Sequence, residues 1–336
     1  MKIALFNARK YDRHYFDRAN ALAGNAHEIV YFEAGLREDT AAIVRGQAFD
    51  CVCVFVNDQL TAPTLAVLAA EGIRLIALRC AGFNNIDLRA AANLGFRVVR
   101  VPAYSPHAVA EHALALLLTL NRKTHKAYNR VREGDFSLDG LVGFDVYCRT
   151  VGVLGTGQIG SVFAGMMRAL GCRVIACDVR PNADLIAGGV EYRERNDLWR
   201  EADIVSIHCP LTPDTRHLVN AESIALMKPG VIIINTSRGA IIDTDAVIAG
   251  LKSRKIGALG IDVYEQEEGL FFANHSEDVL LDDRIARLLT FPNVLVTGHQ
   301  AFLTDEALSE IARVTLNNVN EFADGRPLTN EVALPA

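Results

Sequence analysis

The chain has 336 residues, half of them hydrophobic, with a net charge of −6 and an isoelectric point near 5.9. This length fits about two domains with a large buried core, and an acidic chain lacks the basic footprint of nucleic-acid binding, so we expect no nucleic-acid partner. No apolar run reaches the roughly 18 residues of a membrane span, and the apolar part of the N-terminus is too short for a secretory signal, so we expect a cytoplasmic protein without membrane association.

The seven cysteines show no disulfide or metal framework. Their number is odd, and no two of them form a CxxC pair. Most lie in apolar, strand-like segments, and Cys51 and Cys53 share one face of a predicted strand. We therefore expect the buried, reduced thiols of a cytosolic protein, and no bound metal ion.

Apolar runs alternate with helical patterns in the first hundred residues. The pattern predicts a helix at Thr64–Glu71 and strands at Lys2–Asn7, Glu28–Phe32, Cys51–Val56, Leu75–Leu78 and Arg97–Val99. This alternation is typical of a parallel α/β sheet. A long, nearly all-apolar helix follows within Ser105–Leu120. Such a helix is buried, so we expect it to link two domains or to pack against another subunit.

A second alternating series begins near residue 150. Its strands are predicted at Thr150–Leu154, Arg173–Cys177, Ile204–Ile207, Val231–Asn235, Ala258–Asp262 and Val294–Val296, a set that resembles a full Rossmann domain. A last helix is predicted at Thr304–Ala323, with Thr304 as its N-cap and Gly325 just past its end. Because this helix follows the last strand, we expect it to return to the first domain. The expected domains are then 1–100 plus 300–336, and 101–299.

The first strand of the second series leads into a glycine fingerprint, Gly155-Thr156-Gly157-Gln158-Ile159-Gly160, and a helical pattern follows from Ser161 to Leu170. Strand, tight turn and helix form the context in which GxGxxG binds a dinucleotide. The first glycine permits the turn, the second lets the backbone approach a pyrophosphate, and the third lets helix and strand pack closely. The helix N-terminus then faces the phosphate charge.

Asp178 ends the next predicted strand and favours NAD over NADP. A carboxylate at this place accepts hydrogen bonds from the adenosine ribose hydroxyls. It also repels a 2′-phosphate, since each pair of unit charges at ~5 Å costs about 3 kcal/mol at an effective dielectric of ~20. Arg180 lies two residues further on and is able to receive that phosphate, so residual use of NADP stays open.

Two polar side chains follow later strands, where parallel strands end at the ligand crevice. Arg238 offers a planar fork for a carboxylate, although a surface ion pair is an equal alternative on the sequence alone. His299 is able to exchange a proton near neutral pH, although a lone histidine is more often structural. A neighbouring carboxylate would stabilise its imidazolium, but the spacing does not decide which nearby acidic residue pairs with it: Asp262, Glu265 or Glu267.

In combination, the motifs resemble the D-2-hydroxyacid dehydrogenases, from end to end of the chain. The segments that carry this resemblance are Arg79–Asp87, Tyr104–His112, Gly155–Gly160, His208–Thr212, Asn235–Gly239, Asp262–Glu267 and Gly298–Thr304. Within the family, the stretch Glu268–Phe272 and the long insert to Arg287 resemble the fermentative D-lactate dehydrogenases most. The resemblance implies two doubly wound parallel-sheet domains, with a Rossmann NAD-binding domain inserted into a discontinuous flavodoxin-like substrate-binding domain.

The resemblance also implies the roles of individual residues. Arg238 would bind the substrate carboxylate and polarise the keto oxygen, His299 would be the proton donor in reduction, and Glu267 would be its carboxylate partner. Substrate contacts are expected from the backbone N–H groups of Ala81 and Gly82 and from the rings of Tyr104 and Phe302. Cofactor contacts are expected from Gly155–Gly160, Asp178, Cys209, Pro210, Thr236 and Asp262, the last accepting from the nicotinamide carboxamide. One departure is His107, where many relatives have asparagine.

The implied activity is reversible, NADH-dependent reduction of pyruvate to D-lactate. Two alternatives stay open. One is a dehydrogenase of another D-2-hydroxy acid, with glyoxylate, hydroxypyruvate or a branched 2-keto acid as the oxidised substrate. The other is a non-catalytic, NAD-sensing binding protein on the same scaffold. The resemblance and the apolar helix favour a homodimer or homotetramer formed through the NAD-binding domain.

Overall fold

The computed structural model describes residues 1–267, 269–272 and 274–335. The chain divides into two compact units, one formed by Met1–Ser105 with Leu303–Ala336 and the other by Pro106–Phe302. The corresponding domain boundaries predicted from the sequence are 100/101 and 299/300. In the described part of the chain, no helix is long and apolar enough to cross a membrane.

The two units contain alternating strands and helices. In chain order, the strands are β1 Lys2–Leu5, β2 Glu28–Tyr31, β3 Cys51–Val54, β4 Leu75–Leu78, β5 Arg97–Arg100, β6 Thr150–Leu154, β7 Arg173–Cys177, β8 Glu191–Tyr192, β9 Ile204–Ile207, β10 Val231–Asn235, β11 Ile256–Ile261 and β12 Val294–Val296. The α-helices are α1 Lys10–Leu22, α2 Ala62–Ala70, α3 Leu88–Asn93, α4 Pro106–Arg122, α5 Thr124–Arg132, α6 Gln158–Ala169, α7 Ala183–Ala187, α8 Arg195–Glu201, α9 Ala221–Leu226, α10 Thr244–Lys252, α11 Asp283–Leu289 and α12 Asp305–Ala323. Short 3-10 helices lie at Ala41–Val44 and Gly239–Ile241.

The first unit has a five-stranded sheet with the order β2-β1-β3-β4-β5, and every pair in it is parallel. This is the flavodoxin-like, doubly wound order. Three of its strands are shorter than predicted, and β2 is the least affected, since it ends at Tyr31 rather than Phe32. β1 ends at Leu5 rather than Asn7, because Asn7 adopts a left-handed φ of 54°. β3 ends at Val54 rather than Val56, and a bend and turn follow.

The second unit has a seven-stranded parallel sheet with the order β12-β11-β10-β9-β6-β7-β8. Read from β8, its first six strands follow the Rossmann order, and β12 extends the sheet. The six strands predicted from the sequence are all present. The sequence misses β8, because two residues are too few to show an alternating pattern.

Each unit has its own apolar core. In the second unit, α4 buries Ala110, Ala113, Leu116, Leu117 and Leu120 against a cluster that includes α6 and β6, so the predicted apolar helix is buried. A second cluster on the other face surrounds Trp199, whose side chain is 1 % exposed. The first-unit core combines β1, β3 and β4 with residues from α12.

The helix α12 belongs to the first unit, although it lies near the C-terminal end of the chain. Its N-cap is Thr304, whose Oγ1 accepts a hydrogen bond from the Ala307 N–H at 3.2 Å. Asp305 and Glu306 in the first turn complement the helix dipole. A buried face that includes Ala312, Leu316 and Val319 then packs on the sheet. The predicted return of this helix to the first domain is therefore observed.

Candidate active site

The glycine-rich turn fits a bound pyrophosphate. Gly155 has a φ of 87°, and a Cβ there would lie 2.6 Å from the Cys209 nitrogen. A Cβ on Gly160 would lie 1.9 Å from the Gly155 carbonyl oxygen, so only glycine permits this approach of helix to strand. A Cβ on Gly157 would meet nothing within 4 Å. The turn is thus crowded on its protein side and open at Gly157, which leaves space for a ligand to approach.

Two further observations suit a dinucleotide beside this turn. Gly157 is the N-cap of α6 and supplies no side-chain cap, so the helix N-terminus retains N–H groups for an anion. Thr236 follows β10 and has a buried hydroxyl oxygen without a hydrogen-bond partner among the described residues. A buried hydroxyl normally has a partner, and a polar group of the ligand would supply one.

Asp178, directly after β7, is fixed against the glycine-rich turn. Its Oδ2 accepts from the Thr156 N–H at 2.5 Å, and its Oδ1 accepts from the Arg180 N–H at 2.8 Å. The Thr156 hydroxyl also lies 2.7 Å from the hydroxyl of Tyr192, which in turn accepts from the Asn182 N–H at 2.8 Å. The carboxylate therefore has a defined orientation, and Tyr192 on β8 is a supporting residue that the sequence did not indicate.

Arg238 lies in the loop after β10, and Asn235 shapes this loop. The Asn235 amide donates to the Arg238 carbonyl at 2.9 Å, and its oxygen accepts from the Ser237 N–H at 3.0 Å. A Cβ on Gly239 would lie 2.0 Å from the carbonyl carbon of Tyr264. This close approach places the Arg238 loop directly against the segment that carries Glu267.

His299 pairs with Glu267. Its Nδ1 lies 3.1 Å from Oε1 of Glu267, and Oε2 of the same carboxylate accepts from the Tyr264 N–H at 3.1 Å. An ionised carboxylate only accepts hydrogen bonds, so the proton of neutral His299 lies on Nδ1. The ring of Phe272 lies 5.8 Å from the imidazole, centroid to centroid. The Nε2 atom is then left for exchange of a proton with a ligand.

Each of the three neighbouring carboxylates has its own histidine. Glu267 pairs with His299, whereas Oε1 of Glu265 lies 2.6 Å from Nε2 of His217. Asp262 lies 3.4 Å from Nε2 of His112. The structure thereby separates three acidic residues that the sequence leaves equivalent.

Asp262 ties the His299 loop to the sheet. Its carboxylate accepts from the Gln300 N–H at 2.9 Å, the Ala301 N–H at 2.8 Å and the Thr297 hydroxyl at 2.5 Å. Its main-chain carbonyl accepts from the His299 N–H at 2.8 Å. Burial raises the pKa of this carboxyl, but the hydrogen bonds from His112, Thr297 and the two N–H groups outweigh burial, and the net pKa is lowered. Asp262 therefore stays ionised, and both of its oxygens already have donors besides any nicotinamide carboxamide.

His208 and Cys209 follow β9, on the protein side of the turn. Desolvation lowers the pKa of His208 to about 3, so the ring is neutral, and its Nε2 lies 2.8 Å from the Ser206 hydroxyl. Desolvation raises the pKa of Cys209 to about 11, so its thiol stays protonated. The Cys209 carbonyl accepts from the Ser237 hydroxyl at 2.5 Å, and the Pro210 carbonyl accepts from the Thr215 hydroxyl at 2.7 Å. The side chains of His208 and Cys209 therefore do not exchange protons at neutral pH.

The expected substrate contacts are divided between the two units. Ala81 and Gly82 lie in the loop after β4, and Tyr104 follows β5, all in the first unit. Phe302 belongs to the second unit, where its side chain is buried. Of the stretch Glu268–Phe272, the structure describes Gly269 onward, and Glu268 lies outside the described residues.

The family model for the D-isomer-specific 2-hydroxyacid dehydrogenases, NAD-binding domain, matches residues 114–301. This chain belongs to that family. It is 51% identical over 336 residues to 2-hydroxyacid dehydrogenase A of Aspergillus oryzae, covering 99% of this chain and 95% of the relative. It is 48% identical over 332 residues to D-lactate dehydrogenase of Escherichia coli, covering 99% of this chain and 100% of the relative.

Solved structures agree with this membership. The structure of the pyruvate reductase of Chlamydomonas reinhardtii superposes with a TM-score of 0.93 at 45% identity, covering 98% of both chains. The predicted fold class and the predicted cofactor are thereby confirmed: this 2-hydroxyacid dehydrogenase has two parallel-sheet domains, and its Rossmann domain binds NAD. It is an NAD-dependent D-2-hydroxyacid dehydrogenase.

The sequence assigned no role to two residues of this dehydrogenase site, His112 and Thr297. His112 lies on α4, and its Nε2 is 3.0 Å from the Thr297 hydroxyl. Because that hydroxyl donates to Asp262, it accepts from His112, so the imidazole proton lies on Nε2. The signal in the sequence was an imidazole beside the long apolar run of α4, but nothing local indicated its partner.

Replacement of Gly160 with alanine is expected to weaken NADH binding at least tenfold and to lower the melting temperature, because the added Cβ would meet the Gly155 carbonyl at 1.9 Å. Such overpacking costs about 1–3 kcal/mol. The matched control is Gly165→Ala on the same helix, where a Cβ meets nothing within 4 Å and stability should rise by roughly 0.5–1 kcal/mol. Fluorescence titration with NADH and thermal unfolding measure both effects. Equal affinities for the two variants would contradict the assigned role of Gly160.

Replacement of Asp178 with asparagine is expected to reduce the preference for NADH over NADPH on the order of tenfold or more, because a charge that repels the 2′-phosphate is removed. Asparagine keeps an acceptor oxygen for one of the two N–H groups that Asp178 binds through its separate oxygens. The ratio of kcat/KM values for the two cofactors is the measurement. Asp184→Asn, an exposed change on nearby α7, should leave that ratio unchanged.

Proposed function

We propose that this protein catalyses the reversible reduction of pyruvate to D-lactate with NADH. The observation that carries the proposal is the His299–Glu267 pair, with Nδ1 held at 3.1 Å by the carboxylate and Nε2 left for proton exchange. Two relatives support the choice of substrate: the one from Escherichia coli is named D-lactate dehydrogenase, and the structure from Chlamydomonas reinhardtii is described as a pyruvate reductase.

In this proposal His299 is the acid–base residue. NADH supplies the hydride to the keto carbon. His299 enters the reduction as an imidazolium and delivers the Nε2 proton to the keto oxygen, while Glu267 holds the Nδ1–H and stabilises the positive charge before transfer. In lactate oxidation the neutral imidazole takes the hydroxyl proton at the same atom. The second hydrogen bond of Glu267, from the Tyr264 N–H, keeps the carboxylate fixed during both directions.

Arg238 is the electrostatic partner of the reaction. Its guanidinium carries a permanent charge and presents parallel donors, which suit a carboxylate and an adjacent carbonyl oxygen. As the keto oxygen gains negative charge, a guanidinium and an imidazolium fixed in advance stabilise it by several kcal/mol. Its Nη1 donates to the Ser237 carbonyl at 2.7 Å, so the side chain is oriented before a substrate arrives.

In this proposal, which here rests on the family resemblance, Tyr104 and Phe302 select a substrate with a small side chain. A steady-state screen of 2-keto acids tests the assignment: pyruvate should give the highest kcat/KM among pyruvate, glyoxylate, hydroxypyruvate and 2-keto acids with branched side chains. One extra methylene group changes such discrimination by about 1–3 kcal/mol. A clear preference for a branched acid would refute pyruvate and retain the dehydrogenase.

The role of His299 is tested by His299→Gln, which removes the transferable proton and keeps a polar side chain. We expect kcat to fall by roughly 10²–10⁴ while the Kd of NADH stays within about twofold. The exposed His14 on α1 provides the control, since His14→Gln should change neither quantity. Turnover of the His299 variant near the wild-type value would remove this residue from the mechanism.

A non-catalytic, NAD-sensing role is the alternative of a different class. Arg238, Glu267 and His299 are all present, and two of them are paired in the geometry that acid–base chemistry requires. This pairing, together with the presence of Arg238, favours a catalytic role over binding alone. Oxidation of NADH by pyruvate at an ordinary enzymatic rate would exclude a purely binding role.

We also propose that the protein acts in the cytoplasm as a homodimer or homotetramer assembled through its second unit. In that unit, the chain after α4 exposes large apolar side chains: Tyr128, Phe136, Leu138, Val142 and Tyr147. Apolar side chains gathered in one segment mark an interaction surface. Five of the seven cysteines have buried or partly buried free thiols, and burial raises the pKa of each. Free, protonated thiols are typical of proteins in a reducing compartment.

A further inference from the structure

The loop after β4 has its carbonyl groups tied back to the first unit. Nη1 of Arg100, at the end of β5, donates to the Ala81 carbonyl at 2.7 Å. The Cys80 thiol donates to the Gly82 carbonyl at 3.2 Å, within the range of a sulfur hydrogen bond. Two successive peptide planes are therefore anchored through their oxygens.

This anchoring determines where the N–H groups of the loop point. In a planar trans peptide, the N–H of one residue is directed opposite to the carbonyl of the residue before it. The bond from Arg100 to the Ala81 carbonyl thus turns the Gly82 N–H away from Arg100, and the bond from Cys80 does the same for the Phe83 N–H. Among the described residues, none accepts a hydrogen bond from the N–H of Ala81, Gly82 or Phe83.

Arg100 is itself held from several sides. Its guanidinium carbon lies 5.2 Å from the centroid of the Phe83 ring. Its N–H donates to the Asn330 carbonyl at 3.1 Å, and its carbonyl accepts from the Asn318 amide at 2.9 Å. The Asn330 amide closes the arrangement by donating to Asn318 Oδ1 at 2.9 Å. The C-terminal part of the first unit therefore fixes the residue that fixes the loop.

We propose that Arg100 is a positioning residue for substrate binding, which holds the Ala81–Gly82 peptide so that the Gly82 N–H faces the substrate carboxylate. This inference rests on the proposed function, in which these N–H groups bind the carboxylate. Arg100 acts through the peptide and does not touch the substrate.

The charge of Arg100 adds to its geometric effect. A hydrogen bond from an ionised donor is roughly twice as strong as a neutral one, and hydrogen bonds in a chain strengthen one another by about 10–30% per bond. A guanidinium on the Ala81 oxygen therefore makes the Gly82 N–H a better donor to an anion. Lysine carries the charge but lacks the planar fork that also stacks on Phe83.

The test is Arg100→Met, which keeps an apolar stem beside Phe83 and removes the donor and the charge. We expect the KM of pyruvate and the Ki of oxamate, an unreactive carboxylate isostere of pyruvate, to rise together by on the order of tenfold. The Kd of NADH should stay within about twofold, and kcat should change less than KM. A parallel rise of KM and Ki with unchanged NADH binding is not expected from general loss of structure.

The matched control is Arg97→Met on the same strand. Arg97 pairs with Glu331 of the C-terminal segment, so this change removes the same charge and a contact to that segment without touching the loop. Its KM and Ki should equal the wild-type values. If Arg100→Met gives KM and Ki values equal to those of the control, the positioning role is overturned.

A second variant, Arg100→Lys, tests the inference even if Arg100→Met does not fold. Arg100→Lys keeps a charged donor and should raise KM and Ki severalfold, less than the methionine variant. If Arg100→Met does not fold and Arg100→Lys has the wild-type KM and Ki, the inference is overturned. Failure of the wild-type protein to reduce any 2-keto acid overturns the proposed function and this inference together, whereas wild-type turnover with unaffected Arg100 variants overturns the inference alone.

Discussion

The geometry of the catalytic loop depends on the buried carboxylate of Asp262. Asp262 is fully buried, and its charge would be uncompensated without the hydrogen-bond donors around the carboxylate. The loop after β12 supplies the hydroxyl of Thr297 and the N–H groups of Gln300 and Ala301, so that loop has one arrangement that satisfies the charge. His299 accepts a left-handed φ of 55° within this arrangement. Local strain at His299 is thus offset by hydrogen bonds on both sides of it.

Patterns that depend on neighbouring residues could be predicted from the sequence. The glycine fingerprint, the N-cap at Thr304 and the six longer strands of the second unit each have a local cause: steric freedom at glycine, a free hydroxyl before a helix, or a run of apolar residues. The strand ends were predicted less accurately. At Asn7, for example, the sequence does not reveal the left-handed backbone conformation that follows β1. The fold class followed from these local patterns together with the family resemblance.

Pairings across long separations could not be predicted. His112 and Thr297 are 185 positions apart, and their contact exists only because α4 packs against the sheet beside β12. The same limit applies to Asp262, Glu265 and Glu267. These residues lie close together in the sequence, but each contacts a different histidine. Sequence reasoning identified the right residue types for the site but not the hydrogen bonds that orient them. Those bonds depend on the register of β11 and β12, in which Ile261 pairs with Val296.

The discontinuity of the first unit makes its completion depend on the end of the chain. Val332 donates its N–H to the Val98 carbonyl at 2.8 Å, and Val99 forms an antiparallel bridge with Glu331, so the C-terminal segment covers the edge of β5. The buried face of α12 covers part of the same sheet. During synthesis, the first unit therefore lacks both α12 and the segment that covers the edge of β5 until nearly all residues have been added. The second unit, a continuous segment, has no such requirement.

The single tryptophan gives the two units different optical properties. Trp199 lies in the core of the second unit, and the first unit contains no tryptophan. A buried indole changes its emission when water reaches it, so intrinsic tryptophan fluorescence reports on the NAD-binding unit alone. Circular dichroism reports on the helices of both units. A difference between the two signals during unfolding would therefore reveal whether the substrate unit loses its structure separately from the unit inserted into it.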